Sequence, residues 1–388
     1  MKTSTSKRLR WNVAIWLAAG LFMTGASGMA SGPIMPDPKA EARHQPQVEE
    51  TANGISLVNI TAPSSGGVSR NEYETFNVPD KGAILNNSYT LSKTELAGYV
   101  QGNNNMAERP AKIIVNEVTG TGSTSMDGFL EVAGNRADVV IANPNGITVN
   151  GGGFINTGKA FLTTGKPVYD GEDHLQRFDI TGGDILIEGK GLGGKETGSL
   201  AILSRAVKIN AGIWAKDLHI TTGANTVDAK TLEASAIEGK GERPAFALDT
   251  AAIGGMYAGR ITLVGTEKGL GVNNSGTWSA EDNLTLDWNG DLKNSGTIYS
   301  KGNADLRASH LENDKTIAAE RNLSAAAKEN IRNQGKLLAG ENMDIYAGKT
   351  LDNAGHAMES GNNLSIETGD AINNTAGTIK SGGSQQIK

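Results

Sequence analysis

The last third of this 388-residue chain aligns on itself. Written in register, it reads NNSGTWSAEDNLTLDWNGDL, KNSGTIYSKGNADLRASHL, ENDKTIAAERNLSAAAKENI, RNQGKLLAGENMDIYAGKTL and DNAGHAMESGNNLSIETGDAI, then opens a sixth copy, NNTAGTIKSGG. One asparagine anchor recurs at Asn274, Asn294, Asn313, Asn333 and Asn353, and a second at Asn283, Asn303, Asn322, Asn342 and Asn363. Three apolar columns keep step with them. They are Trp278/Ile298/Ile317/Leu337/Met358, Leu284/Ala304/Leu323/Met343/Leu364 and Leu292/Leu311/Ile331/Leu351/Ile372. A period of about 20 residues has no room for a pair of helices, so it predicts a β-solenoid of about three short strands per rung. One rung cannot bury its own apolar side. Stacking rungs ~4.8 Å apart buries it and aligns each column. Asparagines repeated at one corner predict ladders of bonded side-chain amides. A leucine-rich repeat would need denser leucines and a helical return. The array breaks off inside a copy, at SGGSQQIK, which predicts a truncated product or the front of a longer protein.

The same texture runs upstream. From Gly54 onward come GISLVNI, AKIIVNEV, ADVVIANP, GDILIEG, SLAILSRAVKIN and GRITLVG, short apolar runs that end at Gly, Asn or Asp. Glycine supplies 51 residues, about twice its usual share, and helical spacing is nearly absent. The expected class is all-β. The absence of cysteine excludes disulfides, thiolate catalysis and cysteine metal sites. A net charge of −6 without a basic block argues against nucleic acid.

Residues 1–30 read as a secretory signal peptide: Lys2, Lys7, Arg8 and Arg10, then an apolar stretch, then Gly28 and Ala30 at a small-residue exit. The apolar stretch is too short to predict a membrane span, and no later segment approaches one. Residues 31–53, rich in proline and charge, are expected to be a disordered lead-in.

Catalytic and cofactor motifs find little support. Gly189–Gly194 matches GxGxxG, but the following KETGSLAILSRAVKIN is strand-like and opens no helix, so a glycine turn is expected. His44, His174, His219, His310 and His356 are scattered, with no metal-binding spacing. There is no GxSxG elbow and no calcium-binding nonapeptide repeat. The acidic pairs Glu172/Asp173 and Glu281/Asp282 sit in polar turns. No cofactor and no catalytic residue is expected.

Three stretches carry a family resemblance. FNVPDKGAILNNS, ELAGYVQGNNNMAERPAKIIVNEV and GFLEVAGNRADVVIANPNGITVNGGGFINTGKAFLTTGKP resemble, in order and spacing, the secretion domain of two-partner-secretion exoproteins. These are the filamentous-haemagglutinin-like adhesins and the contact-dependent growth-inhibition proteins. The resemblance spans about residues 54–270, and residues 271–388 resemble the haemagglutinin-type repeats that follow such domains. It implies a right-handed parallel β-helix with a capped N-terminus. It also implies Sec export and recognition by an outer-membrane β-barrel transporter with POTRA domains. The destination implied is secretion to the surface of a diderm bacterium, where a host or neighbouring-cell receptor is met. The implied role is an adhesin, alternatively the delivery stalk of a growth-inhibition toxin; a polysaccharide-active β-helix enzyme is a remote third.

Two motifs usually mark such a domain. NPNGI is intact as Asn143, Pro144, Asn145, Gly146 and Ile147. NPNL is altered: Asn103, Asn104, Asn105 and Met106 stand there, with no proline and with Met for Leu. In NPNGI, Pro144 suits position i+1 of a β-turn and Asn145 position i+2, where asparagine tolerates the left-handed region. Such a turn can shape a rung, be read by the transporter, or do both. Asn104 can take the same backbone angle as proline at some entropic cost.

Overall fold

The structure, a computed structural model, describes residues 32–107 and 109–388. The expected signal peptide, residues 1–30, lies outside the described residues. Pro33–Lys388 form one compact unit, an all-β parallel solenoid of about 13 turns.

The repeats fold as their period dictates. Gly271–Asn274, Thr277–Ala280 and Leu284–Trp288 make one rung; Leu292–Asn294, Thr297–Ser300 and Ala304–Ala308 make the next. Successive rungs pair in parallel with columns in register: Trp278 faces Ile298, Leu284 faces Ala304 and Leu292 faces Leu311. Within each strand, residues alternate in and out with the two-residue period of a pleated strand. All three predicted columns enter one continuous core. The alanine-rich stretch LSAAAKENI, for all its helix-forming residues, is a strand over Leu323–Ala327. At the head of the array Trp278 and Trp288 are fully buried. Their indole N–H groups donate to Thr250 Oγ1 at 3.0 Å and to the Leu270 carbonyl at 2.8 Å.

The asparagines form two ladders. In the first, Nδ2 of Asn274 donates to Oδ1 of Asn294 at 2.8 Å, and so on through Asn313, Asn333 and Asn353, ending on Asn374 at 2.7 Å. Asn274 to Asn353 are almost wholly buried. The second ladder runs the other way: Nδ2 of Asn322 donates back to Asn303 at 2.8 Å, and Asn342 back to Asn322 at 2.9 Å. Backbone N–H groups fix that polarity, because Asn322 N also donates to Asn303 Oδ1. This second ladder is partly exposed to exposed.

Upstream, the rungs are longer. Val68–Phe76, Ile113–Val118, Ala137–Ala142, Thr157–Thr163 and Ser199–Ser204 stack in parallel, as do Thr124–Met126, Ile147–Val149, Asp184–Ile187 and Ala206–Ile209. Two insertions leave the solenoid. One is an antiparallel sheet of Lys166–Tyr169, Leu175–Ile180, Asn225–Asp228 and Ala234–Ala236, with its own cluster around Phe178, Ile180 and Val227. The other is the hairpin Ser92–Thr94/Gly98–Val100. Glu131, almost wholly buried, holds that hairpin by accepting the N–H groups of Glu95 and Leu96 at 2.7 and 2.9 Å.

Residues 31–53 are expected to be a disordered lead-in, but the described part, residues 32–53, is ordered. Ile34–Pro36 pairs antiparallel with Val68–Phe76, and Gln47–Glu50 antiparallel with Ser56–Asn59. Between them Ala42–His44 forms one 3₁₀ turn. Proline and charge are misleading here because the segment is an edge. It lends backbone groups to open strands, and its prolines need no ladder partner. Its side chains are tied down too. Ile34 enters the core, Thr119 Oγ1 donates to Asp37 at 2.6 Å, and buried His44 lies 3.1 Å from Glu72. An antiparallel strand cannot continue the parallel stack, so this segment caps it.

Asn313→Ala tests the buried ladder. It leaves Asn294 Nδ2 and Asn333 Oδ1 without their best partner, so the chain is expected to lose ~1–3 kcal/mol in a urea melt. Asn322→Ala, on the partly exposed ladder, is expected to lose under ~1 kcal/mol.

Candidate functional site

The two motif segments are the same device built twice. Ala137–Ala142 ends a buried strand, and Ile147–Val149 begins the next one on another side of the rung. The intervening turn closes through Gly146 N donating to the Asn143 carbonyl at 3.1 Å. Asn143 is fully buried, and all its side-chain bonds are made inside the protein. Its Nδ2 donates to the Gly122 carbonyl at 2.9 Å and to Thr124 Oγ1 at 3.0 Å. Its Oδ1 accepts Asn145 N at 2.9 Å, which makes a side-chain-closed turn inside the backbone one. Asn145 Nδ2 reaches the Gly120 carbonyl at 2.9 Å. Pro144 and Asn145 are exposed.

Asn103 to Met106 repeats this pattern. Asn103, buried, donates from Nδ2 to the carbonyls of Ile60 and Asn86 at 2.8 and 2.9 Å. Its Oδ1 accepts Asn105 N at 3.0 Å, and Met106 N donates to the Asn103 carbonyl at 3.2 Å. Asn105 Nδ2 reaches the Ile60 carbonyl at 3.1 Å. Asn104 is exposed, as Pro144 is. The fourth side chain, Met106, is buried in the main core. The first and third asparagines therefore carry the geometry, and both are present. The position where proline is missing supplies a backbone angle and an exposed side chain. Methionine fills an irregular apolar gap about as well as leucine.

One detail of the expected turn changes. Asn145 is not in the left-handed region; Gly146 is, with φ of +110°. Glycine takes the strain at the exit, so Asn145 keeps an ordinary backbone and spends its side chain on the preceding rung.

The remaining sequence candidates fall in turns and surface ion pairs. Gly189–Gly194 is a turn followed by the strand Leu192–Gly194, with positive φ at Gly189 and Gly191, and no helix opens there. Asp173 pairs with Arg43 at 2.8 Å, and Glu281 pairs with Lys301. Among the described residues no group of three or more His, Asp or Glu is placed to hold a metal.

A charged knot escaped the sequence reading. The Arg70 guanidinium lies 2.9 Å from Glu72 and 3.4 Å from Glu117, and 4.5 Å over the ring of Tyr169. Burial pushes the Glu117 carboxyl up, and burial together with Arg70 pushes the His44 imidazole down. The knot joins cap (His44), rungs (Arg70, Glu72, Glu117) and side sheet (Tyr169). Its members are too far apart in sequence to leave any local signal.

These features locate the chain among known proteins. The family model described as the TPS secretion domain matches residues 33–298, more than half of the sequence. The chain belongs to the TPS secretion-domain family. A haemagglutinin-repeat model follows at residues 299–387. The chain is 41% identical over 297 residues to the toxin CdiA of Yersinia pestis, an alignment covering 71% of this chain and 9% of that protein. It is 38% identical over 347 residues to the 16S rRNA endonuclease CdiA of Enterobacter cloacae, covering 83% and 10%. The crystal structure of a filamentous haemagglutinin secretion domain superposes with a TM-score of 0.57 at 26% identity, over 92% of this chain and all of that one. The family match starts at residue 33, ahead of the capping strands. The TPS chain thus spans about a tenth of the length of its CdiA relatives. A TPS domain is a secretion module that works with a partner transporter, and it is a β-helix family rather than an enzyme family. Proteins that carry it are secreted or surface-borne.

The twin turns make a clear comparison. Asn143→Ala strips two buried donor bonds and the acceptor of the Asn145 N–H, so a loss of ~1–3 kcal/mol is expected in denaturation. Pro144→Asn rewrites the second motif after the first and is expected to cost under ~1 kcal/mol.

Proposed function

We propose that this chain is the export module and stalk base of a CdiA-like exoprotein that carries a toxin to neighbouring cells. In this reading Sec delivers it to the periplasm of a diderm bacterium. A POTRA-bearing outer-membrane β-barrel then takes it up, and it folds at the cell surface. The observation that carries the export step is the pair of twin turns. Each fixes a buried asparagine and leaves the second position, Pro144 or Asn104, exposed with no side-chain bond to make. Both turns hold their second residue outward, where a partner can meet it, although the fold makes no bond with its side chain. The delivery role draws support from the CdiA relatives, whose names record toxin or nuclease activity in much longer chains.

An adhesin is the second reading. It is supported by the likeness to the filamentous haemagglutinin secretion domain. The gene downstream of Lys388 separates the two: a toxin module followed by an immunity gene supports delivery, and further repeats without one support adhesion.

Transport itself is tested by co-expressing the chain with its partner transporter. Pro144→Ala and Asn104→Ala, at the exposed second positions, are scored for secreted fraction, and the purified proteins for Tm. Both are expected to secrete at least ~10-fold less with Tm within a few degrees of the unaltered chain. Secretion that falls only in step with Tm would reduce the turns to a structural role.

A further inference from the structure

One outward column of the solenoid differs from the others. Read by strand register, it runs Phe129, Gly153, Gly193, Trp214, Tyr257, Ser279 and Tyr299. Inward neighbours on the same strands, Leu130, Phe154, Leu192, Ile213 and Met256, fill the core, so this column faces out. Phe129 is 43% exposed and Tyr257 39%.

The rings lie over glycine. A Cβ at Gly153 would stand 2.4 Å from the Phe129 ring, and one at Gly212 2.4 Å from the six-membered ring of Trp214. A Cβ at Gly191 would reach Trp214 at 3.0 Å, and one at Gly255 would reach Tyr257 at 2.9 Å. Any side chain at these positions would lift a ring off the sheet. Trp214 and Tyr257, on adjacent rungs, have nearly parallel planes 16° apart and centroids 6.1 Å apart. Gly191 and Gly193, two of the four glycines in the segment Gly189–Gly194, belong to this floor.

A shallow groove of about 450 Å³ beside the pair is lined by Lys195, Trp214, Lys216, Tyr257, Ser279 and Glu281, among others. The nearby carboxylates are engaged: Asp217 with Arg260 at 2.6 Å and Glu281 with Lys301. Glu196, next to Lys195, lines a separate cleft beside the hairpin. Lys195 and Lys216 are exposed and are the uncompensated charge of the groove.

We propose that this face binds an extended anionic polysaccharide, with the sugar rings lying along the solenoid axis. Aromatic planes meet the C–H faces of pyranose rings by dispersion and weak C–H contacts, and glycine lets a ligand approach closely. Trp214 and Tyr257 sit on successive rungs ~4.8 Å apart, so one extended polymer lying along the axis meets both rings. Lys195 and Lys216 meet carboxylates or phosphates on the sugar, and Ser279 offers a hydrogen bond to a hydroxyl. Surfaces that run along many repeats are how solenoids commonly bind extended partners. This site is independent of the export reading.

Titration of the purified chain with alginate oligouronates, followed by calorimetry, tests it, with neutral cellohexaose as comparator. Oligouronate binding is expected. It should weaken at least ~10-fold in Trp214→Ala and in Tyr257→Ala, as for loss of an aromatic anchor, with little change in Tm. It should fall with added salt and in the pair Lys195→Glu/Lys216→Glu, whose exposed positions leave folding intact. Failure of the unaltered chain to bind oligouronates overturns the proposal. Equal affinity for cellohexaose overturns the anionic assignment. Binding that survives both aromatic variants shows that the rings only roof their glycines. If Trp214→Ala does not fold, the lysine pair decides, and unchanged affinity there counts against the site.

Discussion

Everything in this protein depends on parallel strands stacking in register, because only the next rung can complete the present one. The point is sharpest at the buried corner. Asn294 is fully buried, and the ends of its amide are satisfied by neighbouring rungs, by Asn274 below and by Asn313 and the Thr316 carbonyl above. Shift the register by two residues, which keeps the inward face inward, and Asn294 stands against Leu311 instead of Asn313. A buried polar group without its hydrogen bond costs ~1–3 kcal/mol, so each ladder step penalises a slip that the apolar columns alone would tolerate. The columns supply the attraction and the amides supply the register.

That division explains what could be read from sequence. Columns and ladders repeat every 20 or so residues, so the alignment of the chain on itself exposes them. The turn at Asn143 was legible for a different reason, since Pro-Asn-Gly is strong local turn chemistry. Its inner detail was less so: the strained residue is Gly146 and not Asn145, because Asn145 is committed to the Gly120 carbonyl. The altered motif shows the limit of reading by letters. Asn104 for proline looks like a loss, yet the bonds are made by Asn103 and Asn105.

What sequence could not show is whatever one segment does for a distant one. The cap was mistaken for disorder because its order comes from Val68–Phe76 and Ser56–Asn59, whose open edges it covers. His44, Arg70, Glu117 and Tyr169 are unremarkable letters far apart; they become a knot only once cap, rungs and side sheet are assembled. Arg205 is similar. It is mostly buried between two carbonyls, at Lys240 and Glu242, and the Glu267 carboxylate at 2.9 Å, which holds the Glu267 carboxyl below its usual range.

The two halves of the molecule differ in how far apart their partners lie, and this bears on the order in which the chain can fold. In the repeats, ladder partners are 19 to 21 residues apart. In the first rungs they are farther: Asn71 bonds the Val115 carbonyl 44 residues on. Doubling a loop adds only ~0.6 kcal/mol of closure entropy, so distance alone is a modest obstacle. The greater one is that the first rung has no template. The capping strands and the charged knot meet that need, since they close the first edge and bind it to its neighbours. Once they are in place, each later rung adds about 20 residues to a finished surface and presents the same surface to the next. A chain that arrives N-terminus first, in whatever manner it is delivered, meets these steps in the order that lets each be stable as it forms. The absence of cysteine suits such growth, because no crosslink can fix a rung before its register is set.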